Sequence, residues 1–278
     1  MTPIEVISVE GATVRFGELT AIDDVDLRAP QGSITGLIGR NGAGKSTTIR
    51  VLAGLLQPVR GTVRVLGRDF TEGGPEIRRQ VGYLLDVPAL FSYLTVEETL
   101  LFLAEAYGLS AAEGRQRAED LLLFFGLQEA RSRLVDDFST GLKKRLALAS
   151  ALIHSPSLLV LDEPFESLDP LMVRRLKRLL TDFVGSGGSV LLSSHLIGAV
   201  EEICDRIVIL ERGRVVVAGP TREALREGAA ESGTGSLEEL YASVVADVPA
   251  TDLNWLRPRL QTDTRPPARP RETGAEPQ

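Results

Sequence analysis

A glycine-rich segment near residue 40 has the residue types and spacing of a phosphate-binding loop. It reads Gly39-Arg40-Asn41-Gly42-Ala43-Gly44-Lys45-Ser46-Thr47 and fits the pattern G-x-x-x-x-G-K-[ST]. Small residues let successive backbone N–H groups converge on phosphate oxygens, and a helix that begins here adds a partial positive charge. The Lys45 ammonium suits the β- and γ-phosphates, and the Ser46 hydroxyl suits Mg²⁺. The segment predicts nucleotide binding; the alternative is a simple glycine-rich turn.

Two adjacent acids follow an apolar run further along the chain, Leu158-Leu159-Val160-Leu161-Asp162-Glu163-Pro164. In a phosphate-loop enzyme, an Asp at the tip of the neighbouring strand completes the Mg²⁺ site, usually through water. Glu163 can then face the attacking water as a general base. Without the phosphate loop, the two acids would equally well be solvated residues that cap the next helix.

The chain has two histidines, and their settings differ. His195 follows Ser193 and Ser194 at the end of a predicted strand, whereas His154 lies in a predicted loop. Ligand sites of open α/β sheets lie at the carboxyl ends of the strands, so we expect His195 to lie at the same edge as Glu163. There it would orient the γ-phosphate or the attacking water. A lone histidine is more often structural than catalytic, and that alternative stays open.

Hydrophobic spacing predicts the elements that position these groups. Strands are predicted at residues 33–38, 62–66, 158–161, 189–192, 207–210 and 215–217, and from about Asp86 to Ser155 the period is helical. The helix after the phosphate loop is predicted to end near Gln57-Pro58. Strands that alternate with helices, together with an inserted helical block, predict an α/β core that carries a helical subdomain.

Two predicted helices begin at residues that can cap them. Asp169 can cap a helix with Pro170 at its first position, and Ser139 and Thr140 can cap the helix that contains Leu142. Such an end leaves N–H groups and a hydroxyl free for an anion. Taken alone, Ser139 would be an ordinary N-cap.

Composition limits the class of protein. The 278 residues carry 31 Lys and Arg against 38 Asp and Glu, a net charge of −7, which argues against a nucleic-acid partner. Apolar residues make up 43%, so wholesale disorder is excluded. The single cysteine, Cys204, predicts a reducing compartment, and no apolar run approaches the roughly 18 residues that span a bilayer. With no leader-like start, the sequence predicts a soluble cytosolic protein.

An ordered set of motifs, from about Ile4 to Gly219, resembles the ATP-binding subunit of an ABC transporter of the drug-exporter type. The most specific of them, Phe138-Ser139-Thr140-Gly141-Leu142-Lys143-Lys144-Arg145, resembles the ABC signature and precedes the Asp162-Glu163 pair as in that family. Ser167-Leu168-Asp169 resembles the D-loop, and Phe16 stands where the family stacks an aromatic ring on adenine.

The resemblance implies an α/β fold with a P-loop NTPase (RecA-like) core, an antiparallel β subdomain and an inserted helical subdomain. It implies ATP and Mg²⁺ as cofactors, with Ser46, Asp162 and Asp86 near the metal. In the family, Ser139, Thr140 and Gly141 act across a dimer of ATPase subunits, either a homodimer or a heterodimer. The implied function is ATP hydrolysis that powers export through a separate transmembrane permease subunit, at the cytoplasmic face of the membrane. The alternatives are a non-transport ABC ATPase and a nucleotide-binding regulator without turnover.

Some positions depart from the family pattern. Asp86 stands in the coupling loop where many members have Gln, and an ionised Asp only accepts hydrogen bonds. Thr140 replaces the first signature glycine and Leu142 the glutamine. Phe16 retains stacking but lacks the hydroxyl of Tyr. These changes leave ATP chemistry plausible and put the coupling step in question.

The expected organisation is an ATPase domain at 1–220 with its helical subdomain at about 87–155, a helical extension at 221–250 and a flexible Pro- and Arg-rich tail at 251–278. The extension either stabilises a dimer or docks on the domain. A permease surface is expected near Phe91, Leu94 and the helix from Val96 to Tyr107; the alternative is that these residues are core.

Overall fold

A computed structural model describes residues 4–86, 90–232 and 235–245. The strands are β1 Glu5–Phe16, β2 Leu19–Pro30, β3 Ile34–Ile38, β4 Arg60–Val65, β5 Val81–Leu84, β6 Leu158–Leu161, β7 Ser189–Ser194, β8 Arg206–Glu211 and β9 Arg214–Pro220. The helices are α1 Lys45–Leu52, α2 Phe70–Gln80, α3 Val96–Ala106, α4 Ala111–Phe125, α5 Thr140–Leu152, α6 Pro170–Gly185, α7 Ile197–Ile203, α8 Thr221–Ser232 and α9 Leu237–Val244. None of the helices in these described ranges is long and apolar enough to cross a bilayer.

The central sheet has six strands in the order β5-β6-β7-β3-β8-β9. All pairs are parallel except β8 with β9. The prediction that the carboxylate strand neighbours the phosphate-loop strand is wrong, because β7 lies between β3 and β6. Strand order in such a sheet is set by the crossovers that pack helices on its faces, and hydrophobic spacing along the chain does not reveal it.

A second, antiparallel sheet has the order β2-β1-β4. Its register changes at several points along β1, where Gly11 takes a left-handed backbone conformation. A main-chain hydrogen bond links this sheet to the turn between β8 and β9 of the central sheet: the Asp23 N–H donates to the Gly213 carbonyl at 2.8 Å. The antiparallel subdomain is therefore confirmed, although only its third strand is evident from hydrophobic spacing.

The inserted block consists of α3, α4 and α5. Buried residues from all three helices, including Leu100, Leu122 and Leu146, join one hydrophobic cluster with α6, α7 and one face of the sheet. Thr95 and Ser110 begin α3 and α4 with capping boxes. Alternate residues of β6 face opposite layers: Leu159 and Leu161 belong to this cluster, and Leu158 and Val160 to a second one under the antiparallel sheet.

Two predicted helix ends differ in the structure. Helix α1 ends at Leu52, before the predicted Gln57-Pro58, because Gly54 turns the chain in a left-handed conformation against the Phe70 ring. The helical stretch predicted from Thr221 to Ala246 is two helices, since Ser236 starts α9 with its own capping box. The predicted tail at 251–278 lies outside the described residues, and the domain boundaries stay predictions.

Candidate functional site

The phosphate loop connects β3 to α1, and its backbone depends on glycine. Gly44 has φ +108°, a conformation that L side chains rarely adopt, and a Cβ there would lie 2.7 Å from Ile22 and 2.9 Å from the Ala21 carbonyl. Helix α1 begins at the next residue, Lys45. The loop therefore places the N–H groups of a helix start at the carboxyl edge of the sheet, where an anion is favoured.

Lys45 turns back from α1 into this loop. Its side chain is 6% exposed, its Nζ donates to the Gly39 carbonyl at 2.7 Å, and it lies 3.3 Å from Oε1 of Glu163. The ammonium is thus held between the loop and a carboxylate, in position to meet phosphate oxygens that the loop would bind.

Glu163 and His195 meet as the sequence predicts. The imidazole Nδ1 of His195 lies 2.9 Å from Glu163 Oε2, and the His195 N–H donates to the same oxygen at 3.1 Å. The parallel register that pairs Leu161 with Leu192 brings the ends of β6 and β7 together. Glu163 Oε1 is buried and, among the described residues, it faces Lys45 Nζ at 3.3 Å without accepting a hydrogen bond.

Asp162 lies behind Glu163 and is 1% exposed. The Ser193 hydroxyl donates to its carboxylate and also accepts from the Glu163 N–H at 2.9 Å. Lys144 of α5 donates to the Asp162 carbonyl at 3.2 Å. Sequence reasoning missed Ser193 and Lys144 as site residues. The signal for Ser193 was a hydroxyl at the end of a buried strand, next to the predicted His195.

Lys45, Glu163 and His195 line a cavity of about 740 Å³, within the usual range for a bound small molecule. Its lining residues are Phe16, Leu19, Thr20, Ala21, Arg40, Asn41, Gly42, Gly44, Lys45, Ser46, Thr47, Asp86, Glu163, Glu166, His195 and Arg212. Phe16, 47% exposed, ends β1 at the rim. Arg212, from the turn between β8 and β9, is an addition to the predicted set. A groove of about 860 Å³ between α4 and α6 is larger, but it is lined mainly by apolar side chains.

The signature residues lie apart from the lining of this cavity as the structure describes it. Ser139 is the N-cap of α5 and accepts from the Leu142 N–H at 3.4 Å. Thr140 is the first residue of α5, and Gly141 packs so closely on the D-loop that a Cβ would lie 2.7 Å from the Ser167 carbonyl. Asp169 caps α6 as predicted and pairs with Arg145 of α5. One chain therefore does not bring its own signature to its own phosphate loop.

The candidate metal ligands are oxygen donors, which suit Mg²⁺. Ser46 and Asp86 line the cavity, whereas the buried Asp162 stands behind the wall. Within the described residues, no three His, Cys, Asp or Glu side chains are grouped to hold a metal ion by themselves. This donor set fits an ion held largely by substrate phosphates and water, with one or two protein ligands.

Comparison with known proteins places the chain in a family. Residues 22–166, just over half of it, match the family described as ABC transporter. The chain is 35% identical over 212 residues to the bacitracin transport ATP-binding protein BcrA of Bacillus licheniformis, covering 76% of this chain and 68% of that protein. It is 37% identical over 221 residues to the daunorubicin/doxorubicin resistance ATP-binding protein DrrA of Streptomyces peucetius, covering 80% and 67%.

Among solved structures, the fold matches an ATP-binding cassette in a dimeric post-hydrolysis state bound to ADP and Pi. The TM-score is 0.70 and the identity 25%, over 77% of this chain and 98% of that one. The phosphate loop, the Asp162-Glu163 pair, the signature and these similarities agree. The chain belongs to the ABC transporter family, as an ATP-binding and ATP-hydrolysing subunit.

Proposed function

We propose that the cavity described above is the ATPase site and that its turnover drives export through a separate membrane subunit. The observation that carries the proposal is the chain of contacts from Lys45 to Glu163 at 3.3 Å and from Glu163 to His195 at 2.9 Å, in the wall of a nucleotide-sized cavity. A charged lysine, a base and an orienting histidine are the groups that phosphoryl transfer to water requires.

The lining of the cavity supports ATP as the nucleotide. The Phe16 ring at the rim offers a face on which the adenine base stacks. The loop at residues 39–47 would bind the phosphates, and Lys45 would neutralise the β- and γ-phosphates. Ser46 and Asp86 would hold Mg²⁺ from the cavity wall, with Asp162 behind them. The bound Mg²⁺ would neutralise charge that develops on the phosphate oxygens.

Hydrolysis then follows from the carboxylate geometry. Among the described residues, Glu163 Oε1 accepts no hydrogen bond, although Lys45 Nζ lies 3.3 Å away, so it can accept a proton from a water molecule next to the γ-phosphate. The water oxygen forms a bond to the γ-phosphorus, the bond to the β–γ bridging oxygen breaks, and ADP and phosphate leave. His195 holds Oε2 and fixes the direction of the base.

A second subunit completes the site. Ser139 and the start of α5 are exposed and lie away from the cavity of their own chain, so they are available to the γ-phosphate of a partner. A similar cassette is known as a dimer with ADP and Pi. We infer that two subunits, identical or related, clamp two ATP molecules between them.

The permease surface is assigned to an aromatic cluster at the start of the helical block. Tyr93 is 73% and Phe102 48% exposed, and the Phe91 ring contacts both, with centroids 6.1 and 5.1 Å apart. Val96 and Leu100 of the same segment are fully buried, so the core alternative holds for them. Exposed aromatic clusters favour protein contacts, which would place the subunit on the cytoplasmic face of the membrane.

Glu163→Gln tests the proposal. Loss of the base should lower ATP hydrolysis by at least about 100-fold, while ATP affinity stays within a few-fold because the phosphate contacts remain. Glu76→Gln, an exposed glutamate on α2, is the matched control and should keep the wild-type rate. Unchanged hydrolysis in Glu163→Gln would contradict the assignment of the base.

Co-purification with nucleic acid and with no membrane protein would favour a non-transport ABC ATPase.

A further inference from the structure

Lys144 is a buried lysine that the ATPase mechanism above does not use. It lies in α5, one turn after the signature residues at 139–141, and is 6% exposed. A lysine is rarely buried without partners, because desolvation of its ammonium group is costly. Its Nζ donates to the main-chain carbonyl of Asp162 at 3.2 Å.

That carbonyl belongs to the peptide group that joins Asp162 to Glu163. The N–H of the same peptide donates to Ser193 Oγ at 2.9 Å, and the Ser193 hydroxyl donates to the Asp162 carboxylate. Side chains from α5 and β7 therefore hold both ends of one planar group. Fixing this plane fixes the two backbone angles that flank it, ψ of Asp162 and φ of Glu163.

The backbone at Glu163 needs such support. Its φ is +46°, in the left-handed region that non-glycine residues rarely adopt. A residue persists there only where its surroundings over-determine it. This angle directs the Glu163 carboxylate between Lys45 and His195.

Acidic groups surround the Lys144 ammonium and favour its charged form. Burial lowers the pKa of Lys144, and the charges of Glu166, Asp162, Asp86 and Glu163 oppose that shift. Glu166 and Asp86 line the ATP cavity. Asp86 departs from the family pattern. Its negative charge therefore acts on the buried Lys144.

We propose that Lys144 is a positioning residue that pins the Asp162–Glu163 peptide and so aims the Glu163 carboxylate. The inference rests on the proposed role of Glu163 as the base. It gives α5 two tasks: its first residues serve the partner's ATP, and Lys144 serves the base of its own chain. A displacement of α5 relative to β6 would change the direction of Glu163.

Lys144→Gln tests this by separating turnover from binding. Misdirection of the base should lower kcat by about 10- to 100-fold, while the Kd and KM for ATP stay within about twofold. Lys144→Arg, which can still donate to the carbonyl, should recover most of the rate. Lys177→Gln, a lysine of α6 that pairs with Glu202 and does not line the cavity, is the matched control and should keep the wild-type values. Lys144→Met, which keeps the aliphatic stem, takes the place of Lys144→Gln if that variant does not fold.

Ser193→Ala provides the second arm. Because Ser193 and Lys144 hold the same peptide, the double variant should lose less kcat than the product of the two single losses. Independent, multiplying losses would overturn the proposal. A second outcome would also overturn the proposal. In it, Lys144→Gln lowers both the ATP affinity and the thermal midpoint, and Lys144→Arg restores neither, because that pattern indicates a purely structural role.

Amide hydrogen exchange of the nucleotide-free protein gives a readout that needs no activity. Exchange in the segment 160–166 should rise in Lys144→Gln and stay at the wild-type rate in Lys177→Gln. Unchanged exchange would overturn the inference. A wild-type chain that does not hydrolyse ATP would instead contradict the proposed function, and the exchange experiment would still decide the role of Lys144.

Discussion

At the residue scale, the two oxygens of Glu163 differ. Oε2 accepts from the His195 backbone and contacts its ring, whereas Oε1 accepts no hydrogen bond from the part of the chain that the structure describes, although Lys45 Nζ is 3.3 Å away. A buried acceptor without a hydrogen bond costs free energy. A water molecule next to the γ-phosphate could donate to this oxygen, in keeping with the role proposed for Glu163.

His154 provides a prediction at the same scale. Its ring stacks on Tyr107 with centroids 3.9 Å apart, and burial lowers its pKa to about 4. The ordinary pKa of histidine is about 6.5. Between pH 6.5 and 4, His154 is therefore protonated in the unfolded chain and largely neutral in the folded chain. Stability should therefore fall as pH decreases through this window.

The measurement compares thermal unfolding at pH 7.5 and pH 5 in wild type and in His154→Asn. The thermal midpoint of the variant should fall less between pH 7.5 and pH 5 than that of wild type. The reason is that the variant lacks the imidazole whose pKa differs between the folded and unfolded chains. Other acid-sensitive groups are shared by both proteins and cancel in the comparison. An equal decrease in the two proteins would show that His154 is not buried as the structure has it.

The sequence predicts some site residues and not others, for a physical reason. Lys45, Glu163 and His195 lie at strand ends or in a loop with a local signature, so spacing along the chain is enough to find them. Lys144 and Ser193 reach the site only because α5 packs on β5 and β7 separates β3 from β6. Their contacts depend on tertiary packing, which single-chain periodicity does not contain.

At the element scale, the start of a helix is predicted best where the side chain of a single residue caps it. Asp169 and Ser139 cap α6 and α5 as expected, because side-chain capping is local. The long strands β1 and β2 are not evident, because the shifts of register along β1 interrupt the alternation that marks a strand. Helix α5 is the element that matters most for function, since it carries the signature and Lys144.

Gly82 tests how tightly α5 is seated. A Cβ at this position in β5 would lie 2.1 Å from the Ala151 carbonyl of α5, so Gly82→Ala must push the helix away from the sheet. We expect a loss of about 3 kcal/mol in the free energy of unfolding, as for overpacked cores. Denaturant unfolding measures this, and the ATPase rate should fall with it.

Gly198→Ala is the control for the same chemical change. Gly198 lies in α7, and a Cβ there would meet none of the described residues within 4 Å. Alanine should be neutral or stabilise the chain by up to about 1 kcal/mol through helix propensity. Equal effects of the two substitutions would mean that β5 and α5 are not in direct contact.

At the scale of the whole molecule, the phosphate loop and the predicted signature residues lie apart in one chain. The phosphate loop and Glu163 open into the cavity, whereas Ser139 caps α5 outside it. Two chains in opposite orientation would bring each half-site to its complement, as in isologous dimers. In the proposed cycle, ATP holds such a dimer closed and hydrolysis opens it.

The most direct test of this account is the assembly state of Glu163→Gln with Mg²⁺ and ATP, measured by analytical ultracentrifugation. Blocked hydrolysis should leave a stable dimer of about 60 kDa, twice the 30.0 kDa of the chain, and ADP should leave a monomer. Adding Ser139→Arg, which crowds the signature, should prevent the dimer without loss of ATP binding. A Glu163→Gln protein that binds ATP and stays monomeric would contradict the shared site.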